Sequence, residues 1–592
     1  MKITIAKSAG FCMGVRRAVD MVLDAANKTS DPISTFGPLI HNPQVLNMLE
    51  ERGIPAINYI PKNGKGTILI RAHGVPPQEQ KALFDAGFNV INATCPRVIR
   101  VQTIIRKHAK KGFATIIVGD KDHPEVKGLM GYAQTFDIGY TVSTIDELQA
   151  LPKFDRAIVV AQTTQDTSLY NALKVWISEH YPHYKIFDTI CDSTEKRQAE
   201  VREIAQECDA VVVVGGKDSG NTRRLAQVAA EAISHSRKRD KDNCEPFSVH
   251  IEDVSELDMS RFKSVKSIAI TAGASTPNWI INRTRREIEQ SLEKRDKNSF
   301  LGYLLAIRDF ILRSSTLLAV GAGSLAYACS DVQGVDNHLI HALIAMFYIL
   351  SMQIMNNLFS IKSDRYNNTE RAEFYDSNRL SLTILAVISG GLGLLLSFTT
   401  GLLPFLILSL MSILGLLYNQ KIVPTFFTKK FSLAGRKIAS IKDIPGSKTI
   451  LIAAAWGTVT SILPAIASSK DSLIFIIPFI FSTSIVFART SFFAILEMQG
   501  DRITGKETIP IILGEKRSQR LIQNLLLLAS GLFAICAILG LISTSAILIA
   551  TIPLLMLYAI KLHEQGKIHT GTNLELIIES HFILAGIIAL FL

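Results

Sequence analysis

The stretch AGFCMGVRRAV, residues 9–19, places one cysteine in a turn between Gly10 and Gly14. An apolar run, MKITIAKSA, precedes the turn, and a run with helical character, VRRAVDMVLDAA, follows it. Cys95 in NATCPRV and Cys191 in DTICDSTEKRQ also follow an apolar run and precede a helical one, at similar separations. The pattern predicts three repeats of an α/β unit, each of which brings one thiol to the middle of the fold.

The second half of the chain has a different character. With 592 residues the chain is long enough for two or more domains, and residues 1 to about 295 alternate β-branched runs with charged helical patterns. From about Leu301 onward, apolar stretches recur at close to the length that spans a bilayer. Nine stretches fit this description: 304–328, 337–361, 379–399, 402–418, 448–468, 472–496, 520–541, 543–561 and 574–592.

The basic residues follow the positive-inside rule. The net charge is +11, and the loops after even-numbered spans carry most of the lysines and arginines of this half. The opposite loops contain one lysine, Lys470. This asymmetry places the N-terminal half in the cytoplasm and accounts for the basic excess without a nucleic-acid partner. MKITIAKSAG lacks a long apolar core and a cleavage site, so we expect no signal peptide.

The seven cysteines are irregularly spaced and indicate a reducing compartment rather than a disulfide framework. Three thiols that converge fit buried small hydrophobic residues, a zinc site or an iron–sulfur cluster. Zinc normally takes a fourth Cys or His, and a cluster on three cysteines leaves one iron open to a substrate. Four cysteines lie outside these motifs and are expected to be packing residues: Cys208, Cys244, Cys329 and Cys536.

Several apolar strands end in small, polar turns that open helices. They read TILIRAHGVPPQEQ, TIIVGDKDHPEVKG, AVVVVGGKDSGNTRRL and SIAITAGASTPNWI. Free backbone N–H groups at such helix starts, with the helix dipole behind them, favour anions. The polar residues in these turns predict a shared anion site suited to a diphosphate: His73, His123, Ser219, Asn221 and Ser275.

The motifs of the first half resemble those of 4-hydroxy-3-methylbut-2-enyl diphosphate reductase, the LytB family, over about residues 1–285. They occur in the family's order: GFCMGVRRA, GPLIHNPQV, RAHGV, ATCPRV, HPEVKG, AQTTQ, ICDST with RQ, GGKDSGNT and TAGASTP. The resemblance implies three α/β lobes around a [4Fe–4S] cluster held by Cys12, Cys95 and Cys191. It further implies that the substrate's hydroxyl binds the fourth iron and leaves as water, with reduced ferredoxin or flavodoxin as the electron donor.

The resemblance also implies roles for the polar residues. Two positions depart from many relatives, Gly220 in DSGNT and Asn92 before ATCP, but neither replaces a cluster ligand, a central histidine or the glutamate. The implied set is Glu125 as proton source with Thr163, His41, His73 and His123 around the diphosphate and hydroxyl, and Ser219, Asn221 and Ser275 on the diphosphate.

Spans two and six of the second half end on the cytoplasmic side in MNNLFSIKSDRYNN and EMQGDRITGKETIP, and span four is followed by LYNQKIVP. In these motifs the second half resembles the UbiA-type intramembrane prenyltransferases over about residues 300–592. The resemblance implies Mg²⁺ and a prenyl diphosphate bound between two acidic motifs. The carboxylates retained here are Asp364, Glu497 and Asp501.

The first acidic motif of this half is incomplete. Asn357 and Ser360 stand where the family has carboxylates. In the second motif Glu497 and Asp501 remain, but Ala494 occupies a position that is often acidic. Asparagine can coordinate a metal through its oxygen but brings no charge to offset Mg²⁺. An active transferase and a catalytically silent anchor or lipid-binding module are therefore both open.

Together these observations predict a pseudo-threefold α/β reductase domain, residues 1–290, a linker, 291–300, and an all-α nine-helix membrane domain, 301–592. We expect reduction of 4-hydroxy-3-methylbut-2-enyl diphosphate to isopentenyl and dimethylallyl diphosphate, together with prenyl transfer in the bilayer. The alternative is a membrane-anchored reductase with a silent second domain. A cluster-based redox sensor is disfavoured because the diphosphate and proton-relay residues are present. The expected location is the bacterial inner membrane.

Overall fold

The computed structural model describes residues 2–591 except 30, 135–137, 235–245, 263–264, 294–299, 419–431, 434–435, 438–443, 469–472 and 569. Cys244, most of the predicted linker, most of LYNQKIVP and most of the basic loop after the fourth span therefore lie outside the described residues. The chain divides into two compact units, Met1–Arg295 and Asp296–Leu592.

The first unit contains three four-stranded sheets in which every strand pair is parallel. The first sheet holds β2 (Ile33–Phe36), β3 (Ala56–Ile57), β4 (Thr67–Ile70) and β5 (Asn89–Asn92). The second holds β6 (Ala114–Val118), β7 (Gly139–Val142), β8 (Ala157–Ala161) and β9 (Lys185–Ile186). The third holds β1 (Lys2–Ile5), β10 (Ala210–Val214), β11 (Phe247–Ile251) and β12 (Ser267–Ala272).

The three sheets share one strand order. Numbered along the chain within a lobe, the strands lie in the order second, first, third, fourth, as in β3-β2-β4-β5 and β7-β6-β8-β9. In the third sheet the N-terminal strand β1 takes the place of the fourth strand beside β12. The predicted repeat of an α/β unit is confirmed, with one lobe assembled from both ends of the unit.

The strands alternate with helices that cover the sheets, as parallel strands require. The central strands β4, β6, β8 and β10 are completely buried, which explains their continuous apolar sequences. The helices are α1 (Met13–Lys28), α2 (Pro43–Glu51), α3 (Pro77–Asp85), α4 (Pro96–Ala109), α5 (Pro124–Gln134), α6 (Ile145–Gln149), α7 (Thr167–His180), α8 (Asp192–Glu207), α9 (Gly220–Ser234) and α10 (Asn278–Glu293).

The second unit is helical throughout its described residues, apart from a two-residue strand pair, β13 (Ser432–Leu433) with β14 (Arg436–Lys437). Its first part contains α11 (Phe300–Arg313), α12 (Thr316–Val332), α13 (His338–Asp364), α14 (Thr369–Ser377), α15 (Arg379–Thr400) and α16 (Leu402–Leu417). The remainder contains α17 (Ser447–Gly457), α18 (Leu463–Ala467), α19 (Ile476–Leu496), α20 (Met498–Ile503), α21 (Ile509–Leu513), α22 (Glu515–Ile538), α23 (Ala546–Ile549), α24 (Ile552–Glu564) and α25 (Thr572–Phe591).

Among the described residues, seven helical segments are long and apolar enough to cross a membrane. They are His338–Ile361, Arg379–Thr400, Ser447–Ala467, Ile476–Leu496, Glu515–Ile538, Ala546–Glu564 and Thr572–Phe591. The first and fourth predicted spans are shorter apolar helices, Thr316–Val332 and Leu402–Leu417. Span one is shorter than its prediction of 304–328 because the helix breaks at Ser315, where φ is +63°.

Close contacts between small residues hold the second unit together. A Cβ built on Gly323 would lie 2.9 Å from the Ala342 carbonyl, and one on Gly586 would lie 2.7 Å from Ser324. Glycine therefore lets α12 pack tightly against both α13 and α25, as is typical of membrane helices. A buried ion pair, Arg489 Nη2 to Glu579 Oε1 at 2.6 Å, also ties α19 to α25.

Candidate active sites

The predicted site residues of the first unit follow the strand ends in a regular way. In the first lobe, His41 follows the first strand, His73 the third and Cys95 the fourth. The second lobe repeats this order with His123 and Glu125, then Thr163, then Cys191. The third repeats it with Ser219 and Asn221, then Ser275, and with Cys12 after β1. All of them line one cavity, because the carboxyl ends of parallel strands meet at one edge.

Each cysteine occupies the same local position. Cys12, Cys95 and Cys191 are the N-cap residues of α1, α4 and α8. Their backbone N–H groups donate to the carbonyls of Ala274 at 3.1 Å, Ala72 at 2.9 Å and Thr163 at 2.9 Å, respectively. In every lobe, this hydrogen bond joins the segment after the fourth strand to the segment after the third strand. Three thiols thus lie at three helix N-termini. Burial raises the pKa of Cys95, although the backbone N–H groups of Arg97 and Val98 act in the opposite direction.

Two contacts bring the lobes together at the thiols. A Cβ built on Gly14 would lie 2.4 Å from Cys95 Sγ, so glycine is required for α1 to approach this thiol. Arg17 Nη1 also donates to the Thr94 carbonyl at 3.0 Å. Gly14, the second glycine of the stretch 9–19, is therefore needed for the close contact between lobes as well as for the turn.

Three histidines form the wall of the cavity beside the thiols. The ring centroids of His41 and His73 lie 4.7 Å apart, and His123 lies 5.8 and 5.5 Å from them. Burial and, next, His41 lower the pKa of His123 to about 4. Asp120 acts in the opposite direction, and Arg224 and Arg223 add to the lowering. Burial and its histidine neighbours also hold the pKa of His73 well below its usual value. The three rings are therefore neutral near pH 7, and each presents one N–H donor.

Several polar atoms in this cavity have no hydrogen-bond partner among the described residues. Three such buried, unpaired atoms are His41 Nε2, His73 Nδ1 and Asn221 Nδ2. An unpaired buried polar group is costly, so these groups indicate a ligand rich in acceptor oxygens. Arg71 acts electrostatically on the same histidines, which makes the surroundings positive and suitable for an anion.

Glu125 is buried in the cavity and bound to one neighbour. The backbone N–H of Thr163 donates to Oε1 at 2.6 Å, and its hydroxyl donates to Oε2 at 2.9 Å. Burial raises the pKa of Glu125 to about 7, although both bonds from Thr163 and the charge of Arg224 act in the opposite direction. A carboxyl group with this pKa can both hold and release a proton near neutral pH.

The third lobe contributes small polar side chains. The Ser275 hydroxyl donates to the His41 carbonyl at 2.9 Å, and the Ser219 hydroxyl accepts from Thr222 N–H at 3.4 Å at the start of α9. A Cβ built on Gly220 would make ordinary contacts of 3.4 and 3.5 Å with the His123 ring. The departure at Gly220 therefore removes a side chain that would fit there.

The second unit also brings its predicted carboxylates together. Asn367 Nδ2 donates to Asp501 Oδ1 at 3.0 Å, and Lys506 Nζ lies 3.6 Å from Asp364 and 3.7 Å from Asp501. A Cβ on Gly500 would lie 1.7 Å from Asn367 Oδ1, so glycine permits this approach. Asp501 Oδ2 is buried without a hydrogen-bond partner among the described residues. This carboxylate oxygen is suited to coordinate a cation.

In the first motif of this unit, Ser360 contacts the carboxylates but Asn357 does not. The Ser360 hydroxyl donates to Asp364 Oδ2, next to the carboxylates. Asn357 instead accepts from Gln353 at 3.2 Å and donates to Ser315 at 3.3 Å, so its amide is engaged elsewhere. Sequence reasoning counted Lys448 only among the basic residues of the cytoplasmic loops, but it interacts electrostatically with Asp501, Glu497 and Asp364. Only its position at the start of an apolar span distinguishes it in the sequence.

The fold and the residues at its strand ends define a three-lobed α/β enzyme domain with three central thiols, joined in one chain to a helical membrane domain. The family model described as LytB protein matches residues 3–289, and that of the UbiA prenyltransferase family matches residues 316–572. The chain belongs to the LytB family of 4-hydroxy-3-methylbut-2-enyl diphosphate reductases, which are oxidoreductases of isoprenoid biosynthesis, and it carries a UbiA-family domain. The predicted fusion is confirmed.

Relatives match one half of the chain. The 4-hydroxy-3-methylbut-2-enyl diphosphate reductase of Trichlorobacter lovleyi is 38% identical over 290 residues, 49% of this chain and 98% of that protein. The reductase of Geotalea daltonii is 40% identical over 299 residues, 50% of this chain and 100% of that protein. A solved UbiA homolog from Archaeoglobus fulgidus bound to GPP and Mg²⁺ is 18% identical with a TM-score of 0.34, covering 47% of this chain and 100% of its own.

Proposed function

We propose that residues 1–290 reduce 4-hydroxy-3-methylbut-2-enyl diphosphate to isopentenyl and dimethylallyl diphosphate. The observation that carries the proposal is the convergence of three N-cap thiols, three neutral histidines and a protonatable glutamate in one cavity. The overall change consumes two electrons and two protons, replaces the C–O bond of the hydroxyl by C–H and releases water. Reduced ferredoxin or flavodoxin is the proposed electron source.

The donor set fits a [4Fe–4S] cluster. Among the described residues, three thiols line the cavity together with three histidines and Glu125. With the histidines and Glu125 assigned to the substrate, a cluster held by the three thiols would keep one iron without a protein ligand. When bound, the cluster supplies the electrons and an open iron for the substrate's hydroxyl oxygen. Cys12, Cys95 and Cys191 would hold it.

The polar residues of the cavity would bind the substrate and protonate its departing oxygen. The unpaired donors of His41, His73 and Asn221, with Ser219 and Ser275, would bind the diphosphate oxygens. His123 would lie near the hydroxyl. Glu125 would deliver a proton to the departing oxygen, and Thr163 keeps the carboxyl group oriented through its two hydrogen bonds.

The pH dependence of the reductase tests the role of Glu125. Its raised pKa of about 7 means that the acid form is present below pH 7 and is lost as the pH rises. We expect kcat/KM to fall above about pH 7, approaching tenfold per pH unit. The neutral histidines contribute no ionisation in this range, because burial lowers their pKa values. A profile that is flat from about pH 6 to 9 would contradict the assignment.

An anaerobic assay of the full-length chain tests the whole proposal. With reduced methyl viologen as donor, we expect both C5 diphosphates to form and the purified protein to contain iron and sulfide. Gly14→Ala should lower both the iron content and the activity, because its Cβ would displace Cys95 Sγ. The matched control is Gly128→Ala, where the new Cβ would meet neighbours at an ordinary 3.5 Å. A loaded wild-type protein that forms neither product would overturn the proposal.

For residues 301–592 we propose binding of a prenyl diphosphate with Mg²⁺ and transfer of the prenyl group to a lipid-soluble acceptor. The support is the approach of Asp364 to Asp501 and the unpaired Asp501 Oδ2, with Glu497 next to them on the same electrostatic network. The second candidate is a silent membrane anchor. The hydrogen bonds of Asn357 favour it, because its amide oxygen accepts from Gln353 and its NH₂ group donates to Ser315, so that the oxygen is already used and does not face the carboxylates.

We also propose the inner membrane of a bacterium as the location, with the first unit in the cytoplasm. The support is the distribution of basic residues among the loops. The segment 291–300 would act as the linker between the two activities.

A further inference from the structure

Arg197 is a buried cation beside the thiols of the first unit. It lies on α8, the helix capped by Cys191, and its exposed fraction is 4%. Its Nη2 donates to the Gly10 carbonyl at 2.5 Å, in the same turn that carries Cys12. One side chain therefore joins the helix that follows Cys191 to the loop of Cys12, in a neighbouring lobe.

This guanidinium is incompletely paired within the protein. Its Nε and Nη1 are buried and have no hydrogen-bond partner among the described residues. The carboxylate of Glu200 acts on Arg197 electrostatically but is bound by the backbone N–H groups of Lys7 at 2.7 Å and Ser8 at 2.9 Å. Burying a charge costs several kcal/mol unless other charges or hydrogen bonds offset it. The remaining groups that act on Arg197 are the sulfurs of Cys12 and Cys191.

We infer that Arg197 is the counter-charge of the sulfur atoms at Cys12 and Cys191, and that it raises the reduction potential of the cluster bound there. The inference rests on the proposed function, since it concerns the same cluster. Reduction adds a negative charge, and a fixed positive charge nearby in a buried site stabilises the reduced state. Arg197 is thus a residue that tunes the cluster, and it is not among the residues that line the cavity.

Potentiometric titration of the full-length protein, followed by EPR spectroscopy, tests this inference. We expect Arg197→Gln to lower the cluster's affinity for an electron at least tenfold, which is about 59 mV for a one-electron couple. Arg197→Lys keeps the charge and should stay near the wild-type potential. The control is Arg97→Gln, which removes a cavity-lining arginine that is 38% exposed and pairs with Asp192 at 2.5 Å. Its shift should be smaller because solvent screens an exposed charge.

Each outcome of these measurements supports or overturns the role of Arg197 or the proposed function. A fully loaded Arg197→Gln protein with the wild-type potential would overturn the inference. If Arg197→Gln binds no cluster while Arg197→Lys does, the positive charge is needed to hold the anionic sulfurs, which supports it. If neither variant binds a cluster, the bond to Gly10 is purely structural and the inference fails. A wild-type protein without a cluster would instead overturn the proposed function.

Discussion

Glu125→Gln should lower kcat for the reductive dehydroxylation by about 10²- to 10⁴-fold, the usual contribution of a positioned general acid. The substitution removes the proton but preserves the shape of the side chain. The amide oxygen can accept from Thr163 N–H as Oε1 does now, at 2.6 Å. The Thr163 hydroxyl can reverse its role and accept from the new NH₂ group. The site should therefore stay folded and fail only in proton delivery.

The measurement is steady-state turnover with reduced viologen, together with iron content and the EPR spectrum of the reduced protein. Iron content and cluster spectrum should match the wild type, which separates lost proton transfer from lost cluster. Asp122→Asn is the control, because it makes the same change of carboxyl to amide three residues earlier, on a side chain that is 99% exposed. Wild-type turnover in Glu125→Gln would show that another group is the proton source. A Glu125→Gln protein that lacks the cluster would show that Glu125 has a structural role.

Much of the first unit's site could be predicted from the sequence, because each functional residue lies between a strand and the next helix or in the first turn of that helix. Cys12, Cys95 and Cys191 each follow the fourth strand of a lobe, three to seven positions after its end, and cap the next helix. Such strand–turn–helix junctions are local features, so a single sequence shows them. The motif HPE likewise places His123 directly before α5 and Glu125 in the first turn of that helix.

What the sequence could not show are contacts made across lobes. The bond from Arg197 to Gly10 spans 187 positions, and that from Arg224 to Asp120 spans 104. No local pattern encodes either, since both depend on how the three lobes pack. The use of β1 to complete the third sheet has the same origin. The break at Ser315 is different, because an apolar window cannot register a single left-handed residue.

In the second unit, the double variant Asp364→Asn/Glu497→Gln should reduce prenyl transfer to background. Membranes that contain the full-length chain would receive Mg²⁺, labelled prenyl diphosphates of several lengths and a lipid-soluble extract. Both carboxylates belong to one charged group with Asp501, Lys448 and Lys506, so their loss removes the charge that would offset Mg²⁺. Reductase activity should be unchanged, because its residues all belong to the other unit.

Glu515→Gln is the matched control for the membrane assay, because this carboxylate is exposed at the start of α22. A labelled lipid that forms with the wild type and with Glu515→Gln, but not with the double variant, would establish a transferase and identify its acceptor. Product that persists in the double variant would place the metal elsewhere. No product with any donor would favour the membrane-anchored reductase, since Asn357 already directs its amide to Ser315 and Gln353 instead of to the carboxylates.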